Sequence, residues 1–297
     1  MKTSSLLSKV KIESKKMKEK KLVIRNILNE LKSLDDYSYG EEELLCMMTL
    51  KFSREELFKK EKFSQKESDK IEKVLSRRLK NEPLNKIFKS QNFFGQDFFI
   101  NNYVLAPRVE TEILTEMALN EITFNGARVL DLCCGSGCIG LSLAKFSKKQ
   151  IEVVLSDVDD NTLRVARKNR KLLGQGEVKI VKSDLFEGLK NFEKFDIITC
   201  NPPYIKSEDI KTLSKGVKNF DPRLALDGGK DGLEFYKIIA EKVGNFLNKK
   251  GKIFLEIGFD EKVAVQEIFE KKGFVTKCFK DYSGLDRVVE IKRGNND

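Results

Sequence analysis

This sequence has no histidine, no tryptophan and no Cys-x-x-Cys pair. The missing imidazole excludes a Ser-His-Asp or Cys-His nucleophile, histidine-containing zinc centres and the two-histidine helix motif of metalloproteases. Whatever chemistry occurs here proceeds without the side chain that most readily moves protons near neutral pH. No apolar run approaches the ~18 residues of a membrane span. The first twenty residues are lysine-rich and lack the apolar stretch of a secretory signal, so a cytoplasmic location is expected. In that setting Cys46, Cys133, Cys134, Cys138, Cys200 and Cys278 are expected to be reduced thiols packed as small apolar groups, not disulfides or metal ligands. Proline is scarce as well, with five residues in all, so the adjacent pair Pro202-Pro203 stands out.

What is present begins with charge. The formal balance of +10 favours an acidic partner, nucleic acid or an acidic protein surface, but positive and negative residues are mixed along most of the chain. Residues 1–20 read as a basic flexible tail. Residues 21–86 read as a helical module. Leu22, Ile24, Ile27, Leu28, Leu31 and Leu34 recur at helical spacing, and Leu44, Leu45 and Met48 mark a second helix. Ser53 with Glu56 and Ser64 with Glu67 form two capping boxes. The second opens a helix with Ile71, Val74, Leu75 and Leu79 inward, and Pro83 is expected to stop it. Such a bundle suits a structural cap or a docking surface equally. Residues 87–106, rich in phenylalanine and broken by Gly and Asn, read as a β-hairpin linker. Then Ala106-Pro107-Arg108-Val109-Glu110-Thr111-Glu112 opens a helix whose dipole stabilises the acids. Capping does not account for Arg108.

From there the pattern is α/β. A strand at 127–132 runs into Cys133-Cys134-Gly135-Ser136-Gly137-Cys138-Ile139-Gly140 and a helix. Gly135, Gly137 and Gly140 have dinucleotide-site spacing, with Asp157 closing the next strand. In dinucleotide sites, however, the strand meets the glycine turn almost directly, bringing backbone N–H groups onto a pyrophosphate. Here Asp131 stands just before the turn, and an acid there would repel a diphosphate. It suits a cofactor carrying an amine and a positive sulfur, S-adenosylmethionine. Asp157 can accept from both ribose hydroxyls. After a third strand at 178–182, Asp184 can accept from the adenine amine, with Leu185 or Phe186 against the ring. Acids at three consecutive strand ends mark the carboxyl edge of the sheet, where open α/β folds bind ligands.

The fourth strand, at 195–200, ends in Asn201-Pro202-Pro203-Tyr204. Two prolines fix φ and remove two backbone donors, leaving a stiff loop with bare carbonyls. Asn201 Oδ1 and the Pro202 carbonyl can each accept one hydrogen of a planar NH2 group while Tyr204 lies against its face. A helix at 233–247, a strand at 251–257, a helix at 261–271 and strands at 274–279 and 287–291 complete the reading, with Gly284 in the last turn.

Taken together, these residues resemble the HemK/PrmC family of release-factor glutamine methyltransferases. The resemblance rests on Pro107-Arg108-x-Glu110-Thr111-Glu112, the loop from Asp131 to Gly140, Asn201-Pro202-Pro203-Tyr204-Ile205 and Asp221-Pro222-Arg223-Leu224-Ala225-Leu226-x-Gly228-Gly229-x-Asp231-Gly232-Leu233. Leu255-Glu256-Ile257-Gly258 and Asp281-x-x-Gly284-x-Asp286-Arg287 extend it over nearly the whole chain. Val109 departs from the usual Pro, and Asp221 from the usual Glu. The resemblance implies a Rossmann-like seven-stranded methyltransferase sheet over 107–297, with the last two strands in reversed order. It implies a cofactor site of Asp131, Cys133, Cys134, Gly135, Ser136, Gly137, Asp157, Asp184, Leu185 and Asn201. It also implies a substrate site of Arg108, Asn201, Pro202, Pro203 and Tyr204 for the glutamine of a Gly-Gly-Gln loop. S-adenosylhomocysteine would be the product, release factors the partners and a monomer the default state. Two rivals stay open at this point: an amino-methyltransferase acting on flipped adenine in nucleic acid, and a silent S-adenosylmethionine-binding protein.

Overall fold

The computed structural model describes residues 17–294. Contacts divide the chain into two units with the boundary between Phe88 and Lys89. The first holds β1 (Lys18–Glu19), α1 (Lys20–Leu31), α2 (Glu41–Leu50), α3 (Arg54–Lys59), β2 (Lys62–Phe63), α4 (Gln65–Arg78) and α5 (Leu84–Phe88). Its core gathers Ile27, Leu31, Leu45, Leu57, Phe63 and Ile71. Both capping boxes close, with Ser53 Oγ accepting from Glu56 N and Ser64 Oγ from Glu67 N. At the end of α4 the buried Arg78 guanidinium donates to Glu41 Oε1 at 2.5 Å and Asp36 Oδ1 at 2.6 Å, tying α4 to the start of α2.

Two expectations shift here. The tail expected over 1–20 falls largely outside the described residues, but Lys18 and Glu19 already pair antiparallel with β2 and Lys20 begins α1. The α4 helix ends at Arg78, ahead of Pro83, and Asn81 then turns the chain at φ +65°. Pro83 instead precedes α5, where its missing N–H costs nothing.

The second unit opens with a hairpin of β3 (Ser90–Phe93) and β4 (Gln96–Phe99), followed by α6 (Val109–Glu121), β5 (Ala127–Leu132), α7 (Cys138–Phe146), β6 (Ile151–Asp157), α8 (Asp160–Leu172), β7 (Lys179–Lys182) and β8 (Phe195–Cys200). Then come α9 (Lys215–Phe220), α10 (Glu234–Lys242), β9 (Leu247–Glu256), α11 (Lys262–Glu270), β10 (Phe274–Lys280) and β11 (Asp286–Arg293). The seven-stranded sheet has the order β10-β11-β9-β8-β5-β6-β7. β5 pairs parallel with both β6 and β8, whereas β11 runs antiparallel between β9 and β10. This is the class I methyltransferase sheet with its reversed final pair.

Side chains alternate between two faces, as the period of two requires. Leu130, Leu132, Ile198, Cys200, Ile253 and Leu255 face a core shared with Tyr236, Ile239 and Phe269 of α10 and α11. Val129, Ile197, Phe254 and Leu155 face the opposite core, shared with Leu114 of α6, Leu141 of α7, Leu163 of α8 and the hairpin residues Phe93 and Phe98. The central strands are buried on both sides, so they read as nearly unbroken apolar runs.

The hairpin packs as part of this unit. Phe94 (φ +50°) and Gly95 (φ +73°) make its two-residue turn, and Phe94 N donates to Glu112 Oε1 at 2.7 Å. One acid expected only to favour the helix dipole therefore anchors a turn. The helix expected over 233–247 stops at Lys242, and a short 3-10 turn over Val243–Asn245 delivers Leu247 to the sheet.

Candidate active site

The carboxyl ends of β5, β6, β7 and β8 open onto a cavity of about 490 Å³. Its wall includes Cys133, Cys134, Gly135, Ser136, Asp157, Asp184, Leu185, Asn201, Pro203 and Arg108 among the residues anticipated from sequence. The structure brings these together from segments spread over nearly a hundred positions of sequence, because parallel strands all end at one edge.

Four anticipated residues do not line the cavity: Asp131, Gly137, Pro202 and Tyr204. Asp131 is a correction. It was expected to face a cofactor amine, but it is fully buried beneath the loop. Its Oδ2 accepts from Gly140 N at 3.0 Å, and its Oδ1 accepts from Thr199 Oγ1 at 2.9 Å, across the register pair that β5 and β8 share. Burial pushes the Asp131 carboxyl up to about 7 against the pull of those two donors. Its work is to clamp the start of α7 onto the sheet. Gly140 permits that clamp, since a Cβ there would sit 2.2 Å from Leu155 Cδ2. Gly137 faces the same way, toward Leu155 and Leu141, as the residue preceding α7.

At the end of β6, Asp157 Oδ2 accepts from Gly135 N at 3.0 Å and Oδ1 from Asp159 N at 3.2 Å. Burial raises its carboxyl above the ordinary range. The carboxylate thus holds the glycine loop from the cavity side while still lining the wall. Asp184 is exposed at the mouth, and Leu185 beside it is buried at φ +45°. Arg108 Nη2 donates to the buried Asp221 Oδ2 at 3.2 Å, joining the start of α6 to the loop before Pro222.

Beyond β8, Asn201 Nδ2 donates to Thr111 Oγ1 at 3.3 Å, and Thr111 Oγ1 donates to Glu256 Oε2 at 2.6 Å. The other oxygen of Glu256 accepts from Tyr204 OH at 3.3 Å. Burial raises both the Glu256 carboxyl and the Tyr204 phenol above their usual ranges, and the nearby Arg287 opposes both shifts. The backbone after Tyr204 pairs with the glycine-rich stretch, with Ile205 N donating to Leu226 O at 2.9 Å and Gly228 N to Ile205 O at 2.8 Å.

Reading the sequence missed two groups. Asn169, buried on α8, accepts from Phe99 N at 2.8 Å and donates to Phe99 O and Ser136 O at 2.9 Å each, binding hairpin and glycine loop together. An amide among Leu163, Val165 and Ala166 on the apolar face of that helix was the available signal. Tyr103, Leu105 and Leu224 also form part of the cavity wall, and nothing in their local pattern announces it.

The donor set fits S-adenosylmethionine. A carboxylate at the end of β6, a second beyond β7, an apolar Leu185 beside it and a glycine loop between match the ribose, adenine and amino-acid portions of that molecule in chemistry, and the volume lies within the range of cofactor clefts.

Residues 109–223 match the family described as Methyltransferase small domain. A release factor glutamine methyltransferase of Clostridium acetobutylicum is 39% identical over 271 residues, 89% of this chain and 95% of its own length. One from Thermodesulfovibrio yellowstonii is 34% identical over 278 residues, 92% of this chain and 98% of that protein. Among solved structures, a methyltransferase from Pyrococcus furiosus is 25% identical with a TM-score of 0.50, over 73% of this chain and 95% of that one. With a relative of that identity matched almost end to end, and with the reversed-pair sheet behind it, the chain belongs to the release factor glutamine methyltransferase family.

Proposed function

We propose that this enzyme transfers a methyl group from S-adenosylmethionine to the side-chain amide nitrogen of the glutamine in the Gly-Gly-Gln loop of a peptide-chain release factor. The observation that carries the reading is the placement of Asn201, which lines the cofactor-sized cavity while Thr111 holds its amide nitrogen. Its oxygen is thereby left to accept from a substrate NH2.

When bound, S-adenosylmethionine supplies an electrophilic methyl on a positively charged sulfur. In this reading Asp157 would take the ribose hydroxyls, and Asp184 with Leu185 the adenine, since all three line the cavity. An amide nitrogen is a poor nucleophile because its lone pair is delocalised into the carbonyl. The chain's contribution is therefore position and electrostatics. Asn201 Oδ1, on the cavity wall, holds the NH2 and sets negative potential where positive charge develops. The Pro202 carbonyl and the Tyr204 ring, which do not line that cavity, are proposed to take the second hydrogen and to cover the amide when the substrate loop is bound. In the transfer that the bound cofactor would supply, the methyl would pass from sulfur to nitrogen, and the nitrogen, then strongly acidic, would lose its proton to water. No tuned base is required, in keeping with a chain that lacks histidine. Release factors act in the cytoplasm, which fits the expected location.

The test is incubation of the purified protein with S-adenosylmethionine and an unmodified release factor, followed by peptide mass spectrometry. One added methyl on the Gly-Gly-Gln glutamine supports the reading. Methyl incorporation into RNA or DNA in its place would overturn it in favour of an adenine amino-methyltransferase.

A further inference from the structure

We propose that Glu256, acting through Thr111, is the positioning group that fixes which way the Asn201 amide points. The inference rests on the functional reading above and goes beyond it. Proton counting carries it. Glu256 is buried to 2% exposure, and each of its two oxygens accepts a hydroxyl, Oε2 from Thr111 and Oε1 from Tyr204. The single hydroxyl hydrogen of Thr111 is committed to Glu256 Oε2 by the 2.6 Å contact. Thr111 Oγ1 therefore has nothing left to donate, and the atom of Asn201 facing it must be the NH2. The Asn201 oxygen is forced away from Thr111, toward the side where a substrate amide has to be received.

The same carboxylate takes the Tyr204 hydroxyl on its second oxygen. One buried carboxyl group thus governs both ends of the Asn201–Tyr204 segment. Nothing in the local sequence shows it, because Glu256 is supplied by the end of β9 and Thr111 by the first turn of α6. Phe254, two residues before Glu256, packs on the same side of the sheet as Leu114 of α6, so strand parity directs Glu256 to that helix.

Thr111→Val keeps the side-chain shape and removes the hydroxyl, and Thr111→Ser restores it. With a release factor as substrate, Thr111→Val is expected to lower kcat about tenfold to a hundredfold, with KM and the cofactor Kd changed less than about threefold. Thr111→Ser is expected to recover most of the loss. Turnover by Thr111→Val within about twofold of wild type would overturn the inference. So would a loss of cofactor affinity proportional to the loss of kcat, which would assign Thr111 to the cofactor. Failure of Thr111→Ser to recover activity, with an unchanged melting temperature, counts against it as well. If the wild-type protein does not methylate the Gly-Gly-Gln glutamine, the functional reading itself falls and the inference with it. Wild-type turnover beside an unaffected Thr111→Val removes the inference alone.

Discussion

Gly228 and Tyr204 touch through their backbones: a Cβ on Gly228 would lie 2.7 Å from Tyr204 Cα and 2.8 Å from both its carbonyl carbon and Gly232 O. All three obstacles are main-chain atoms, which cannot rotate out of the way. Gly228→Ala is therefore expected to displace Tyr204, cutting turnover more than tenfold and costing about 1–3 kcal/mol of stability. Gly176→Ala, where nothing lies within 4 Å, is the matched control and should leave both unchanged. Parallel kinetics and urea melts on the two variants test this.

Asn201→Ala removes the acceptor while Thr111 and Glu256 remain. Methyl transfer is expected to vanish, with cofactor affinity held within roughly an order of magnitude by calorimetry. Equal loss of both would reassign Asn201 to cofactor binding alone.

Asn169→Ala releases three hydrogen bonds at once and leaves Phe99 N–H, Phe99 O and Ser136 O short of partners in a buried region. The expected cost is about 3 kcal/mol of stability together with weaker cofactor binding, because the loop carbonyl of Ser136 is freed. Asn169→Asp should not rescue it, since a carboxylate can accept from Phe99 N–H but repels both carbonyls.

Asp131 sets a pH dependence of stability whose sign follows from its raised carboxyl. The folded state holds this proton up to about 7, whereas an unfolded aspartate releases it near 4. The contribution is fully present below about pH 4 and is lost as pH rises through about 7. Glu261, also pushed up to about 7 by burial, acts in the same sense. The melting temperature should thus fall between about pH 5 and about pH 8, and Asp131→Asn should flatten that slope. A wild-type slope unchanged by Asp131→Asn would show that the titration belongs elsewhere.

The strands of the sheet were legible because buried parallel strands are written as apolar runs, Val129-Leu130 and Ile197-Ile198 among them. The cavity wall was legible where acids end those strands, as at Asp157 and Asp184. Asp131 looked the same from the sequence but is consumed internally by Gly140 and Thr199. An acid's position in the chain says nothing of which donors the fold brings to it. Glu256 was visible only as part of a family-like stretch, although a charge closing the apolar run Ile253-Phe254-Leu255 was a physical clue in its own right. The segment from 209 to 225 carries Ile210, Leu213, Val217, Phe220 and Leu224 at helical spacing, yet the fold breaks it into α9 between two 3-10 turns, with Ser214 capping α9 and Pro222 following it, so its period alone does not give its shape.

Thr111 and Glu256 are separated by 145 residues, and Thr111 and Asn201 by 90. Contacts so distant along the chain cost more loop entropy to close than local ones do. As the polypeptide leaves the ribosome, the glycine loop and the Asn201 segment emerge well before β9 does. Until Glu256 has arrived, Thr111 keeps its hydrogen free and Asn201 can turn either way. A nascent or prematurely ended chain therefore carries every group of the acceptor motif without its orientation, and competence for methyl transfer is among the last properties this protein acquires.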